Sequence, residues 1–207
     1  MALRQTLQQA GEFVKKHPYI FGGSAVVLVG IAILIANLRS AARRILRAAS
    51  KWVGVKEIYN NQGWDNKEFE AQMKALGWWA GAEWCNFFVK LVVLSCCKEG
   101  SKNFKFWQSH LSPATQTTWA NLKENSDYHS VSSSPTRGAL VIYRNNSDGS
   151  KGHIEIVKKV NNDGSYVVIS GNSGFEDGSG QGVAIKTRNK NGISGFTTLG
   201  FITIKKL

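Results

Sequence analysis

The chain has 207 residues, with 26 Lys/Arg against 14 Asp/Glu and a net charge of +12. That length allows one domain with a substantial core, and its three cysteines, Cys85 and the adjacent Cys96 and Cys97, are a poor disulfide framework and carry no CxxC zinc spacing. The charge is uneven: residues 1–51 hold Arg4, Lys15, Lys16, Arg39, Arg43, Arg44, Arg47 and Lys51 against the single acid Glu12, which argues for membrane headgroups and against nucleic acid as the partner.

In chain order, a basic tail over 1–18 leads into Ile20–Leu38, 19 residues without a charge. A helix of that length just spans a bilayer core, so the sequence predicts a transmembrane helix over 19–38. Tyr19 falls where an interfacial aromatic belongs, and Lys15, Lys16 and His17 face Arg39, Arg43 and Arg44 across the run. The heavier basic side follows the segment, so the positive-inside rule favours a cytoplasmic C-terminal domain. Residues 39–51 read as a basic juxtamembrane helix or linker, with Ile45 and Leu46 as its apolar part. The globular domain is expected over 52–207.

Within it, Asp65 or Asn66 caps a helix that runs to Leu76 and stops at Gly77. A second helix begins around Trp84 and continues apolar to Cys97; being apolar nearly all round, it belongs in the core. Ser112-Pro113 is an opening pair for a helix to about Asn125. Residues 126–138 read as a connection, and five strand-like runs follow: Ala139–Arg144, His153–Val160, Ser165–Ser170, Gly182–Arg188 and Thr197–Lys205. Asn161–Gly164 and Asn189–Gly192 are hairpin signals. Helices first and strands second predict an α+β fold.

Cys85 opens its helix, where the macrodipole favours thiolate over thiol. No histidine lies in that helix, so a base must come from elsewhere. His17 lies in the membrane flank; His110 and His129 sit in polar surroundings and read as solvated; His153 follows a glycine and opens an alternating strand, sharing a face with Glu155 and Val157. Trp78, Trp79 and Trp84 crowd the approach to Cys85, as groove lining or as core. Asn60–Asp65 has too few carboxylates for calcium, and Asp148 and Asp177 read as turn formers, so no metal or cofactor is expected.

Val53-Gly54-Val55-Lys56-Glu57, Trp84-Cys85-x-x-Phe88-Val89, Pro135-x-x-Gly138-x-Leu140-Val141, Gly152-His153-Ile154-x-Ile156-Val157 and Gly171-Asn172-Ser173 occur in that order. The chain thereby resembles the CHAP-type branch of the NlpC/P60 superfamily, papain-like amidases and endopeptidases of peptidoglycan, across residues 50–207. The resemblance implies a helical half whose Cys helix packs on an antiparallel sheet, with Cys85 as nucleophile, His153 as base and Asn172 as the residue orienting the imidazole. Many relatives carry a glutamate two residues before that asparagine; here the position is Ser170. Glu155 then either substitutes for it, contacts a substrate amine, or is a solvated strand residue. The membrane run is similar in composition to those of signal-arrest-release phage lysins. The expected function is a membrane-anchored, phage or virion-associated peptidoglycan hydrolase, placed in a virion internal membrane or the host inner membrane. The alternatives are a non-catalytic membrane protein of a lipid-containing virion and an antibacterial effector protease.

Overall fold

The computed structural model describes residue 36 and residues 40–207. Among these no helix is long and apolar enough to cross a membrane; the span expected over 19–38 lies, but for residue 36, outside the described residues. Ala41–Leu207 form one compact unit.

Its first helix, α1, covers 40–50. Ala41, Ile45 and Ala49, one turn apart, are buried together with Leu46, while Arg43, Arg44 and Arg47 are exposed. The apolar stripe therefore faces the protein core rather than lying along a bilayer, which corrects the expected juxtamembrane linker: the compact domain starts at this helix, not at residue 52. Packing is close enough that a Cβ on Gly138 would stand 2.5 Å from the Cβ of Ala42.

A short hairpin, β1 (Glu57–Ile58) and β2 (Gly63–Trp64), precedes α2 (Lys67–Ala75). Asn66 caps α2, its Oδ1 accepting from Phe69 N at 2.9 Å, and Gly77 with φ 89° takes the chain away after Leu76. Then come α3 (Cys85–Ser95), α4 (Lys102–His110) and α5 (Thr115–Leu122). Helix α4, started by Ser101 Oγ accepting from Phe104 N, was not anticipated. Helix α5 begins two residues after Pro113 because Ser112 Oγ accepts from Ala114 N in a local turn.

Six antiparallel strands follow: β3 (His129–Ser132), β4 (Leu140–Asn145), β5 (Gly152–Val160), β6 (Tyr166–Gly174), β7 (Gln181–Arg188) and β8 (Phe196–Ile204), in the spatial order β3-β8-β4-β5-β6-β7. The turn at Asn161–Gly164 joins paired strands, as expected. Asn189–Gly192 turns locally, but β7 and β8 do not pair; β8 crosses to lie between β3 and β4. Alternation gives the sheet two apolar faces. Leu140, Ile142, Ile154, Ile156, Ile169 and Ile202 pack under the helices with nine buried residues of α3. Ala139, Val141, Val157, Val168 and Phe201 form a smaller cluster on the other face, with Tyr143 and Tyr166.

Gly171 is where α3 lies on β6. A Cβ there would stand 2.8 Å from the Cβ of the fully buried Phe88. Gly171→Ala is therefore expected to push the Cys85 helix off the sheet and cost about 1–3 kcal/mol, measurable by denaturant unfolding.

Candidate active site

The N-terminus of α3 is fixed by an aromatic cluster. Trp64 sits 5.0 Å from Phe69, 4.3 Å from Trp78 and 5.1 Å from Trp84, ring centre to ring centre. Trp84 is fully buried and its Nε1 donates to Glu57 Oε2 at 2.7 Å; Trp78 Nε1 donates to Ala82 O at 3.0 Å. Trp84 and Trp78 are thus core supports of the segment entering Cys85, and the expectation of Trp84 as substrate lining is corrected. Trp79 differs: it is 62% exposed, with its ring edge-on to Phe87 at 6.1 Å. Tyr59, 82% exposed, belongs to the β1–β2 loop, which is tied to the Trp79 loop by Gly81 N donating to Asn61 O at 2.7 Å.

Cys85 is the first residue of α3, and Trp84 at the cap position supplies no side-chain acceptor. The thiol is buried. Burial pushes it up, but the His153 imidazole beside it, helped by the Ile154 amide and Thr115, outweighs burial and brings it below the ordinary thiol range. Next to it Asn86, 2% exposed, holds its Nδ2 3.9 Å from Cys85 Sγ and donates to Thr115 Oγ1, while its Oδ1 accepts from Thr118 Oγ1 at 3.2 Å. This buried Asn86–Thr115–Thr118 cluster, which sequence reasoning missed, links α3 to α5.

His153 enters from the start of β5. Gln116 Nε2 donates to Tyr143 O at 3.2 Å and Lys151 O at 3.1 Å, and a Cβ on Gly152 would meet that same Gln116 atom at 2.5 Å. Only glycine fits before the histidine. His153 Nε2 lies 2.9 Å from Ser170 Oγ and 3.4 Å from Glu155 Oε1, which leaves Nδ1 for the thiol. Burial lowers the imidazole, but the Cys85 and Glu155 side chains more than offset this and raise it to about 10. Thiolate and imidazolium are therefore the favoured pair.

Glu155 has no exposure, so the solvated alternative is excluded. Its Oε2 accepts from Arg188 Nε at 3.1 Å and Tyr143 OH at 3.0 Å, and its Oε1 from Arg188 Nη2. Burial raises this carboxyl, but His153 and Arg188 hold it down at about 2.

The structure thus joins Cys85, His153, Ser170 and Glu155. It does not join Asn172 to them by a hydrogen bond: none connects it to His153. The β5–β6 ladder begins at Ile156↔Ile169, and extending that register would set Asn172 opposite His153. Instead β6 is irregular between Ser170 and Ser173, and Asn172 takes φ 54°. His129, expected on the surface, is 2% exposed, with Nε2 2.9 Å from Leu122 O and Nδ1 2.9 Å from Ser126 Oγ. His110 packs flat on Phe106 at 4.0 Å. His17 lies outside the described residues. Cys96 is buried and Cys97 half-buried, both free. Among the described residues no His/Cys/Asp/Glu group is grouped to hold a metal.

A helix-borne thiolate facing a strand-borne imidazolium is the arrangement of the cysteine hydrolases. The CHAP domain model matches residues 36–172, most of the chain and both members of the pair, and the chain belongs to that family, typically cysteine- and histidine-dependent amidohydrolases and peptidases with peptidoglycan as the implied substrate. No curated protein and no solved structure matches the chain.

Proposed function

We propose that this chain cleaves an amide bond of the peptidoglycan peptide by acyl transfer, from a site tethered to a membrane. The observation that carries the reading is the placement of Cys85 at the start of α3 beside His153 at the start of β5, whose Nε2 is held by Ser170 and Glu155, with the thiol lowered and the imidazole raised by each other. Cys85 attacks the carbonyl as thiolate. The uncapped amide of Cys85 at the start of α3 faces the developing oxyanion. His153 donates its proton to the departing amine, and then, as base, activates the water that frees the acyl group. The uncharged run 19–38 and its basic flanks supply the tether, and a lysin carried by a phage or virion uses both parts. With the domain on the wall side of that membrane, its topology runs against the charge bias of the flanks.

The test is digestion of purified peptidoglycan by the detergent-solubilised full chain, with mass spectrometry of the products. Soluble muropeptides with a newly freed amine support the reading, and their masses name the bond. Intact peptidoglycan, in the presence of reductant, overturns it in favour of a non-catalytic membrane protein; cleavage of protein substrates alone favours the effector protease.

Trp79 and Tyr59 are exposed on two loops joined by Gly81 N donating to Asn61 O, and the Trp79 loop leads to Cys85. Trp79→Ala is expected to raise KM by about 2- to 10-fold with kcat little changed, the loss of one aromatic contact of about 0.5–1.5 kcal/mol. Steady-state release of muropeptides checks this split.

A further inference from the structure

We propose that the carboxylate positioning His153 is Glu155, supplied from the histidine's own strand and clamped by Arg188 and Tyr143, so that the chain manages without an acid at position 170. The inference rests on the hydrolase reading above and concerns how that site is held.

A carboxylate with no solvent exposure costs several kcal/mol to bury and persists only where its partners replace water. Glu155 has such partners on both sides. Arg188, from β7, engages both oxygens, and the Tyr143 hydroxyl, from β4, donates to Oε2 while lying 3.0 Å from the Tyr166 hydroxyl of β6. The clamp fixes the carboxylate but leaves Oε1 3.4 Å from His153 Nε2. Ser170 Oγ, at 2.9 Å, shares the same nitrogen. With Nε2 turned inward to these two oxygens, Nδ1 is held toward Cys85, and one ring orientation is selected.

The charges alternate along the row: thiolate, imidazolium, carboxylate, guanidinium. The titratable groups facing the ring and its carboxylate are Cys85 from α3, Tyr143 from β4, Tyr166 from β6 and Arg188 from β7. Burial and the neighbouring carboxylate push the Tyr143 hydroxyl well up, so it remains a donor. Paired with Arg188, Glu155 is too weak a base to take the imidazolium proton. It is a positioning residue that stabilises the charged ring, and through it the thiolate.

The test uses the full chain in detergent and reads the rate of Cys85 alkylation by iodoacetamide against pH, following the Cys85 peptide by mass spectrometry. Cys97, held up at about 11 by burial, is a slow internal reference. For Glu155→Gln the thiolate limb is expected to move up by about one pH unit or more, and kcat for peptidoglycan to fall about a hundredfold with KM unchanged. Because the glutamine leaves Arg188 buried without its charge partner, Glu155→Gln with Arg188→Met is measured beside it, and the same upward movement is expected. Ser170→Glu added to Glu155→Gln is expected to return part of the lost thiolate by restoring a carboxylate at Nε2. An unmoved alkylation profile in both Glu155 variants overturns the proposal, as does an Asn172→Ala variant that takes the whole shift. A wild-type Cys85 that alkylates only like an ordinary buried thiol overturns the hydrolase reading itself, a different outcome.

Discussion

Cys85→Ala is expected to abolish release of muropeptides, with kcat down by about 10⁴- to 10⁶-fold, because nucleophile and base act as one unit. The side chain is 5% exposed and the change removes one sulfur, so thermal unfolding should shift by no more than about 1–2 kcal/mol, as for other small core truncations. His153→Ala should cost activity on the same scale, and the double variant no more than the worse single one. Additive losses would mean that the two residues do not share a step. The wild-type pH profile follows from the pair. Activity rises as pH climbs through the lowered thiol titration, since the thiolate attacks. It declines as the imidazolium is lost near 10, because the leaving amine then lacks its proton donor. A profile centred on an ordinary thiol would contradict the ion pair.

Arg188→Met is expected to be the most damaging substitution to stability away from the apolar core, at about 3–5 kcal/mol, because it takes from the buried carboxylate of Glu155 the guanidinium that engages both its oxygens and leaves only His153 opposite it. For a unit of this size that lowers Tm by about 10 °C, readable by calorimetry at neutral pH. The pH dependence has a definite sign. Glu155 is depressed from 4.5 to about 2 in the folded state. Its contribution is therefore present above 4.5 and lost as pH falls toward 2, amounting to about 3 kcal/mol. Arg188→Met removes the main non-catalytic cause of that depression. The wild-type and variant stability curves should then converge in acid and separate above pH 4.5. Parallel curves would mean that Arg188 stabilises by packing alone.

What was legible beforehand follows from locality. The strands Leu140–Asn145, Gly152–Val160, Tyr166–Gly174, Gln181–Arg188 and Phe196–Ile204 announce themselves by apolar alternation and by turns such as Asn161–Gly164, features written within a few residues. β3 was hidden because His129-Ser130-Val131-Ser132 carries one aliphatic residue and becomes a strand only by pairing with β8. Helix α4 was hidden because Phe104, Phe106 and Trp107 fit neither period cleanly; its signal was Ser101, a cap three residues before Phe104. Helix α1 was misplaced for another reason. Four arginines and a lysine beside an apolar run suggest a membrane, and only the packed domain reveals that Ile45 and Ala49 turn inward.

The site divides the same way. Cys85 and His153 could be paired on paper, since a helix start and a strand start each carry a local signature. The groups behind the imidazole could not. Alternation puts Glu155 on the face of His153, but its burial depends on Arg188, 33 residues on. Which residue of β6 meets Nε2 depends on the irregularity between Ser170 and Ser173, and no pattern in Gly171-Asn172-Ser173 encodes it.

The strand order has a temporal meaning. Strand β8 follows the other five strands of its sheet in sequence, yet it supplies the partner of both β3 and β4, joining His129 to Ile204 and Leu140 to Ile202. A nascent chain that has not yet extruded residue 204 holds Cys85, His153 and Glu155 but has β3 unpaired and β4 with one bare edge. Closing such distant pairings is intrinsically slow. Closure of the sheet thus waits for β8, and until it pairs the domain passes through an interval in which its exposed strand edges are open to chaperones and to aggregation.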